Sequence, residues 1–87
     1  MGKVKVFWKM SCPKCKKAID MGSLLKEEGF AVTDYNLDTF EGLAEASFYG
    51  VMSTPSIIIE DSQENLLASF PGDVPRLLDI REILAKT

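Results

Sequence analysis

Cys12 and Cys15, the two cysteines of this 87-residue chain, are its most chemically suggestive residues. Only Pro13 and Lys14 separate them, so a bond between them would close a very short loop and stabilise the fold little. Two cysteines are also too few to staple a small secreted domain. Cysteines at this spacing, between a predicted strand and a predicted helix, are typical of thiol–disulfide exchange. We therefore expect redox chemistry through a redox-active disulfide.

Metal binding is the main alternative use of such a pair, since Cys-x-x-Cys supplies half of the ligands of a tetrahedral zinc site. The chain has no histidine and no third cysteine, so carboxylates or a second chain would have to complete the site. A non-catalytic dimer that bridges a metal ion or an iron–sulfur cluster stays open. So does a pair of cysteines that merely pack. We expect no bound metal and no separate cofactor.

The elements that must position the cysteines alternate between strand and helix patterns, which predicts an α/β fold. Strands are predicted over residues 3–8, 30–37, 56–60 and 66–70, and helices over residues 13–28, 41–49 and 74–85. The order β-α-β-α-β-β-α predicts a right-handed parallel first unit, a final antiparallel hairpin and a four-stranded mixed sheet. Three helices would cover both faces of this sheet within a single domain, residues 1–87.

The predicted place of the cysteines assigns them different roles. Pro13 is favoured at a first helical position, so Cys12 would lie at the positive end of the helix dipole. This placement predicts a thiol pKa below the free-cysteine value of about 8.5. Cys15 would lie one turn into the helix and nearer the core. We therefore expect an exposed Cys12 to attack a target disulfide and Cys15 to resolve the mixed disulfide.

Composition and charge narrow the range of partners. The formal net charge is -3, which argues against nucleic acid, because phosphate binding needs a basic surface. No apolar run is long enough to span a membrane, and no leader pattern is found, so we expect a cytoplasmic protein without a membrane partner. A monomer is expected. Lys14, Lys16 and Lys17 are interpreted either as a docking patch or as a solvated helix face.

Three stretches of the sequence resemble one known family. They are residues 6–15 (Val-Phe-Trp-Lys-Met-Ser-Cys-Pro-Lys-Cys), residues 49–59 (Tyr-Gly-Val-Met-Ser-Thr-Pro-Ser-Ile-Ile-Ile) and Gly72. Over almost its whole length the chain resembles the thioredoxin/glutaredoxin superfamily, close to the small glutaredoxin-like thioredoxins. The resemblance implies the thioredoxin fold and the reduction of disulfide-bearing protein substrates. It also implies a cis Thr54–Pro55 bond that faces the cysteines.

The resemblance also implies which residues bind substrate. The set is Trp8, Lys9, Pro13, Lys14, Thr54, Pro55 and Gly72. Lys9 is similar to the glutaredoxin lysine that helps to hold the glutathione carboxylate, whereas Trp8 and the Tyr-Gly-Val segment are similar to thioredoxin. Both a thioredoxin-reductase-like flavoenzyme and glutathione therefore stay open as the reductant, and a glutathione-dependent glutaredoxin is the alternative function.

The sequence departs from the family pattern at two places. Val6 occupies the position of the buried thioredoxin acid that assists proton transfer from the resolving thiol. The stretch Pro71-Gly72-Asp73 replaces the Gly-Gly and paired acids of glutaredoxins.

Six further apolar side chains are assigned a place near the site or in the core. Met10 and Met52 are interpreted as an apolar rim of the site or as fillers of core gaps. The core aromatic residues are predicted to be Phe40, Phe48, Tyr49 and Phe70.

Overall fold

The elements follow the predicted order β-α-β-α-β-β-α in the computed structural model, which describes residues 2–86. The strands are β1 (Lys3–Trp8), β2 (Ala31–Asn36), β3 (Ser56–Glu60) and β4 (Leu66–Pro71), and the helices are α1 (Cys15–Glu27), α2 (Phe40–Tyr49) and α3 (Leu77–Ala85). The strands form one sheet in the order β2-β1-β3-β4. Strand β1 pairs with β2 in parallel, whereas β3 is antiparallel to both β1 and β4. The predicted four-stranded mixed sheet is confirmed.

The register of the strands brings four chain segments to one end of the sheet. Trp8, the last residue of β1, is opposite Asn36, the last residue of β2. Ser56, the first residue of β3, is opposite Phe7 on one side and Pro71 on the other. The chain therefore leaves β1, β2 and β4 and enters β3 at this same end. The segment that holds the cysteines is one of these four.

The core is divided unequally between the two faces of the sheet. On one face α1 and α3 cover the larger cluster, formed by Val4, Val6, Ala18, Met21, Leu25, Ile57, Ile59, Ile80 and Leu84. On the other face α2 covers a smaller cluster of Phe7, Ala46 and Ile58. All five residues of β3 are buried, because this strand has neighbours on both sides and helices on both faces. Each large apolar side chain so buried contributes about 1.5–3 kcal/mol.

Helix α1 begins two residues later than predicted. The prediction placed Pro13 at the first helical position, but Pro13 and Lys14 lie in a turn and Cys15 is the first helical residue. The Cys15 N–H donates to the Cys12 carbonyl oxygen at 3.3 Å, a bond between residues three apart that closes a tight turn rather than an α-helical turn. Cys15 is therefore at the start of the helix and not one turn inside it.

Helix α3 begins three residues later than predicted. Pro75 disfavours helical backbone at Val74, the residue before it, and Arg76 is extended with φ −68° and ψ 147°. Gly72 is consequently separated from the last helix by four residues. At the N-terminus of helix α2 the hydroxyl of Thr39 caps the helix by accepting from Gly42 N–H at 3.1 Å.

Two of the four predicted core aromatics are in fact on the surface. Phe40 is 95% exposed and Phe48 is 80% exposed, so their assignment to the core was wrong. Tyr49 and Phe70 are half-buried and pack against the smaller and the larger cluster respectively. The outward turn of the two phenylalanines follows from Gly42, where a Cβ atom would lie 1.9 Å from the Asn36 carbonyl oxygen. Helix α2 approaches β2 so closely that only small side chains fit between them.

Within residues 2–86 no helix has both the length and the apolar character that crossing a bilayer requires.

Candidate redox site

A disulfide joins Cys12 and Cys15 across the turn between β1 and α1. Their Cα atoms are 5.3 Å apart, within the usual range for a disulfide. The Cys12 N–H donates to the Lys9 carbonyl oxygen at 3.3 Å. Two consecutive turns, the second closed by the Cys15 N–H, therefore carry the chain from the strand to the helix and hold the two sulfur atoms together.

The two cysteines differ in their access to solvent. Cys15 is 2% exposed and lies against the core, whereas Cys12 is half-buried. Cys12 precedes the first turn of α1, whose N–H groups have no acceptor within the helix and favour a negative charge nearby. The arrangement therefore suits an attack by Cys12 on an incoming disulfide and a later attack by Cys15 from the protein side.

The Thr54–Pro55 peptide bond is cis, as the resemblance implied. Pro55 is buried and Thr54 is half-buried. Ser56 is opposite Phe7 in the sheet, so the bond lies at the end of the sheet from which the cysteine turn leaves. The structure thus places Thr54, Pro55, Cys12 and Cys15 at one end of the molecule.

Ser56 ties together two segments of this end and was not singled out from the sequence. Its buried hydroxyl donates to the Ser53 carbonyl oxygen at 2.7 Å and accepts from Gly72 N–H at 3.4 Å. The segment before Pro55 and the segment after β4 are therefore joined through one side chain. A signal for this role was available, because a serine directly before a run of three isoleucines belongs to the same buried strand and needs hydrogen-bond partners there.

Trp8 and Met10 connect the cysteine segment to β2 and to the residues that follow it. Trp8 is half-buried, and its indole Nε1 donates to Asp34 Oδ1 at 3.4 Å. The Met10 N–H donates to Asp38 Oδ2 at 3.0 Å. The side chain of Met10 is exposed, as is that of Met52, so neither fills a core gap. Asp34 and Asp38 are further site neighbours that the sequence did not indicate.

Exposed lysines precede and follow Cys12 along the chain. Pro13 and Lys14 are exposed in the turn, and Lys9 is exposed just before it. Lys16 pairs with Asp20 at 3.1 Å, but Lys9 and Lys14 have no side-chain partner in the described part of the chain.

The seven residues predicted to bind substrate fall into two groups. Four lie in or next to the cysteine segment, namely Trp8, Lys9, Pro13 and Lys14. The other three lie directly before β3 or directly after β4, namely Thr54, Pro55 and Gly72.

Val6, at the position of the buried thioredoxin acid, and the buried ion pair of Lys5 and Glu60 lie on opposite faces of the sheet. Val6 is 1% exposed in the larger cluster. Lys5 Nζ lies 3.3 Å from Glu60 Oε1, and their side chains are 14% and 3% exposed. The hydroxyl of Tyr49 accepts from Lys5 and donates to Glu60 Oε2 at 2.9 Å. This network joins β1, α2 and β3 on the face covered by α2.

The network shifts the pKa values of two of its members. Burial alone lowers the pKa of Lys5, but the hydrogen bond with Tyr49 and the charge of Glu60 outweigh it, so the pKa is raised overall. Burial, together with the hydrogen bond to Glu60 and its charge, raises the pKa of Tyr49. Both groups therefore hold their protons more firmly than free side chains do.

No set of three or more Cys, Asp or Glu side chains within residues 2–86 is arranged to hold a metal ion.

Comparison with known proteins identifies relatives of the chain. A family model described as a thioredoxin domain matches residues 2–85. A protein of Archaeoglobus fulgidus named "Probable Thioredoxin" is 33% identical over 76 residues, which cover 86% of this chain and 84% of that protein. The family match includes both the cysteine segment and the segment around Pro55.

Solved structures share the fold at lower sequence identity. A mutant thioredoxin of Halobacterium salinarum superposes with a TM-score of 0.82 and 20% identity over 98% of this chain and 73% of that chain. Reduced thioredoxin pre-protein of Schistosoma mansoni superposes with a TM-score of 0.75 and 16% identity, over 98% of this chain and 77% of that one.

Proposed function

This chain belongs to the thioredoxin family, and on that premise we propose that it reduces protein disulfides by dithiol exchange at Cys12 and Cys15. The family and the cysteine pair at disulfide distance support a thiol–disulfide oxidoreductase. The observation that carries the finer proposal is the unequal access of the two cysteines. A half-buried attacking sulfur beside a buried resolving sulfur favours catalysis over a structural cross-link.

The reaction consists of two exchanges. The Cys12 thiolate attacks one sulfur of the substrate disulfide, forms a mixed disulfide and releases one substrate thiolate. The Cys15 thiol then loses its proton and attacks the Cys12 sulfur, which forms the Cys12–Cys15 disulfide and releases the second substrate thiolate. The substrate gains two electrons and, from solvent, two protons. An external dithiol or two thiols must return two electrons to the protein before the next cycle.

The residues around the sulfurs are assigned supporting roles in this proposal. Thr54, Pro55 and Gly72 would hold the substrate backbone, since they lie at the same end of the sheet as the cysteines. Trp8, Pro13 and Lys14 would border the entering disulfide on the other side. Because Val6 provides no carboxylate, we assign the proton of Cys15 to water that reaches the turn once the mixed disulfide has formed.

The reductant is proposed to be a flavoenzyme of the thioredoxin-reductase class. The glutathione-dependent alternative is favoured by one observation, namely the cation of Lys9 beside the disulfide, which could hold a glutathione carboxylate.

We also propose that the protein is a cytoplasmic monomer, with neither a nucleic acid nor a membrane as partner and with no cofactor.

Insulin reduction tests the main proposal. The wild-type protein should accelerate the precipitation of insulin by dithiothreitol, and Cys12→Ser should abolish the acceleration. Cys15→Ser should instead accumulate a mixed disulfide that mass spectrometry detects.

A second experiment identifies the reductant. It compares the rate at which the Cys12–Cys15 disulfide is reduced by NADPH with a thioredoxin-reductase-like flavoenzyme and the rate at which it is reduced by glutathione. Metal analysis of the purified protein addresses the non-catalytic alternative, since a stoichiometric metal or cluster together with inactive thiols would replace the reductase proposal.

A further inference from the structure

A groove of about 330 Å³ lies between α1 and the segment that leads into α3. Its apolar lining consists of Met21, Leu24, Val74, Pro75 and Leu77, and its charged lining of Lys17, Asp20 and Arg76. A cavity of this size is at the lower end of those that hold small ligands, and it can also receive one or two side chains of a partner. The groove does not contain either cysteine.

The charges that line the groove do not cancel. Asp20 is paired with Lys16 at 3.1 Å. The guanidinium of Arg76 is engaged by both carboxylate oxygens of Asp79, at 2.9 and 3.1 Å. Lys17 is exposed and has neither an ion pair nor a side-chain hydrogen bond among residues 2–86. The groove therefore combines an apolar floor with one uncompensated cation, which favours an occupant with an apolar group next to a carboxylate.

The groove continues the face of α1 that begins beside the disulfide. Lys17, Asp20 and Leu24 share one face of the helix, and Lys14, in the turn just before the helix, lies three residues before Lys17. From Cys15 to Leu24 the helix rises about 14 Å. A fully extended chain of four residues spans about 13 Å. The near part of the groove, at Lys17 and Met21, lies only about 3 and 9 Å along the helix from Cys15, so a chain of three or four residues from a target cysteine at the disulfide is long enough to reach it.

Resting on the proposed reductase function, we propose that this groove receives the chain that flanks the target disulfide. An apolar substrate side chain lies against Met21 and Leu24, and a neighbouring substrate carboxylate pairs with Lys17. The preferred substrates are accordingly protein disulfides with an apolar and an acidic residue three and four positions from the attacked cysteine.

Short peptides with defined flanks test this preference. In each peptide a single cysteine is disulfide-bonded to a fluorescent cysteine derivative, and the third and fourth residues from it are Leu-Glu, Leu-Lys, Gly-Glu or Gly-Gly. Each is made with the pair on either side of the cysteine. The second-order rate constant with the pre-reduced protein is measured by stopped flow. On at least one side, Leu-Glu should react about two- to fivefold faster than Leu-Lys, as expected for one exposed ion pair.

Charge reversal on the protein provides the control. Lys17→Glu should reverse the order of the Leu-Glu and Leu-Lys peptides. Lys26→Glu changes the net charge equally, at an exposed position in the last turn of α1 outside the groove, and should leave the order unchanged. Leu24→Gln should remove the advantage of Leu-Glu over Gly-Glu.

Three results would overturn the groove proposal. They are equal rates for Leu-Glu and Leu-Lys with the wild type, an unchanged order with Lys17→Glu, and a reversed order with Lys26→Glu. In each case continued reduction of the Gly-Gly peptide would leave the reductase function standing. If no peptide, Gly-Gly included, is reduced, both proposals fail together.

Discussion

The buried hydroxyl of Ser56 donates a hydrogen bond of 2.7 Å to the carbonyl oxygen of Ser53. The same hydroxyl oxygen accepts from Gly72 N–H, so one side chain fixes the relative position of the two segments proposed to hold the substrate backbone.

Ser56→Ala should weaken substrate binding more than it weakens thiol chemistry. The substitution removes both hydrogen bonds of the hydroxyl, and because Ser53 and Gly72 are themselves exposed, water can replace the lost partner, so each bond costs about 0.5–1.5 kcal/mol of stability. We expect KM for a peptide disulfide to rise while the alkylation rate of reduced Cys12 by iodoacetamide stays at the wild-type value. Ser56→Thr, which keeps the hydroxyl, should restore KM. Equal losses in alkylation and in peptide reduction would contradict a positioning role.

Cys12 of the reduced protein should titrate below the ordinary range of a free thiol. The first turn of α1 and the nearby cations of Lys9 and Lys14 favour its thiolate. The alkylation rate of the Cys15→Ser variant as a function of pH reports this pKa directly. A midpoint at or above about 8.5 would show that the helix start, displaced to Cys15, is too far from Cys12 to act.

Removal of one member of the buried charge network should destabilise the fold strongly. Lys5→Met leaves the buried carboxylate of Glu60 without its cation, and loss of one partner of a buried pair costs about 3–5 kcal/mol. The partial exposure of Lys5 places the expected loss near the lower value. Urea denaturation measures it. The double variant Lys5→Met/Glu60→Leu is the matched control and should regain most of the stability, whereas additive losses would argue that the two side chains do not interact.

Alkaline pH should destabilise the native state through the same network. Tyr49 and Lys5 both have raised pKa values in the folded protein, from ordinary values of 10.0 and 10.5. A raised pKa means that the folded state retains a proton that the unfolded chain has already released. Their contribution is thus complete below about pH 10 and is lost as the pH rises further. Urea midpoints measured from about pH 8 upward should fall above about pH 10, and less so in Tyr49→Phe than in the wild type.

The order of the elements and the position of the cysteine pair were predictable from the sequence because they depend on local pattern. Alternating residues in β1 and the isoleucine run of β3 indicate strands whichever partners they find. The helix starts were less predictable. Pro13 fits both a first helical position and a tight turn, and the hydrogen bond from Cys15 N–H to the Cys12 carbonyl oxygen decides between them.

The direction of α2 and the role of Ser56 could not be read from local pattern. Helix α2 is apolar on several sides, so its periodicity does not say which side faces the sheet. The close approach of Gly42 to Asn36 decides this, and it is a contact between two elements. Likewise, the hydroxyl of Ser56 meets Gly72 N–H only once β3 and β4 have paired. Such features depend on tertiary packing.

The unequal division of the core has a consequence for the motions of the protein. The cluster under helix α2 has three buried apolar residues within the described part of the chain, and one of them, Ala46, is the helix's own. The amide protons of α2 should therefore exchange with solvent earlier than those of α1 and α3, which share the larger cluster. The segment from Gly50 to Pro55 follows α2 directly. The segment proposed to bind the substrate backbone is therefore attached to α2, the helix expected to unfold locally most often. The resolving cysteine, Cys15, begins α1, which packs on the larger and more stable cluster.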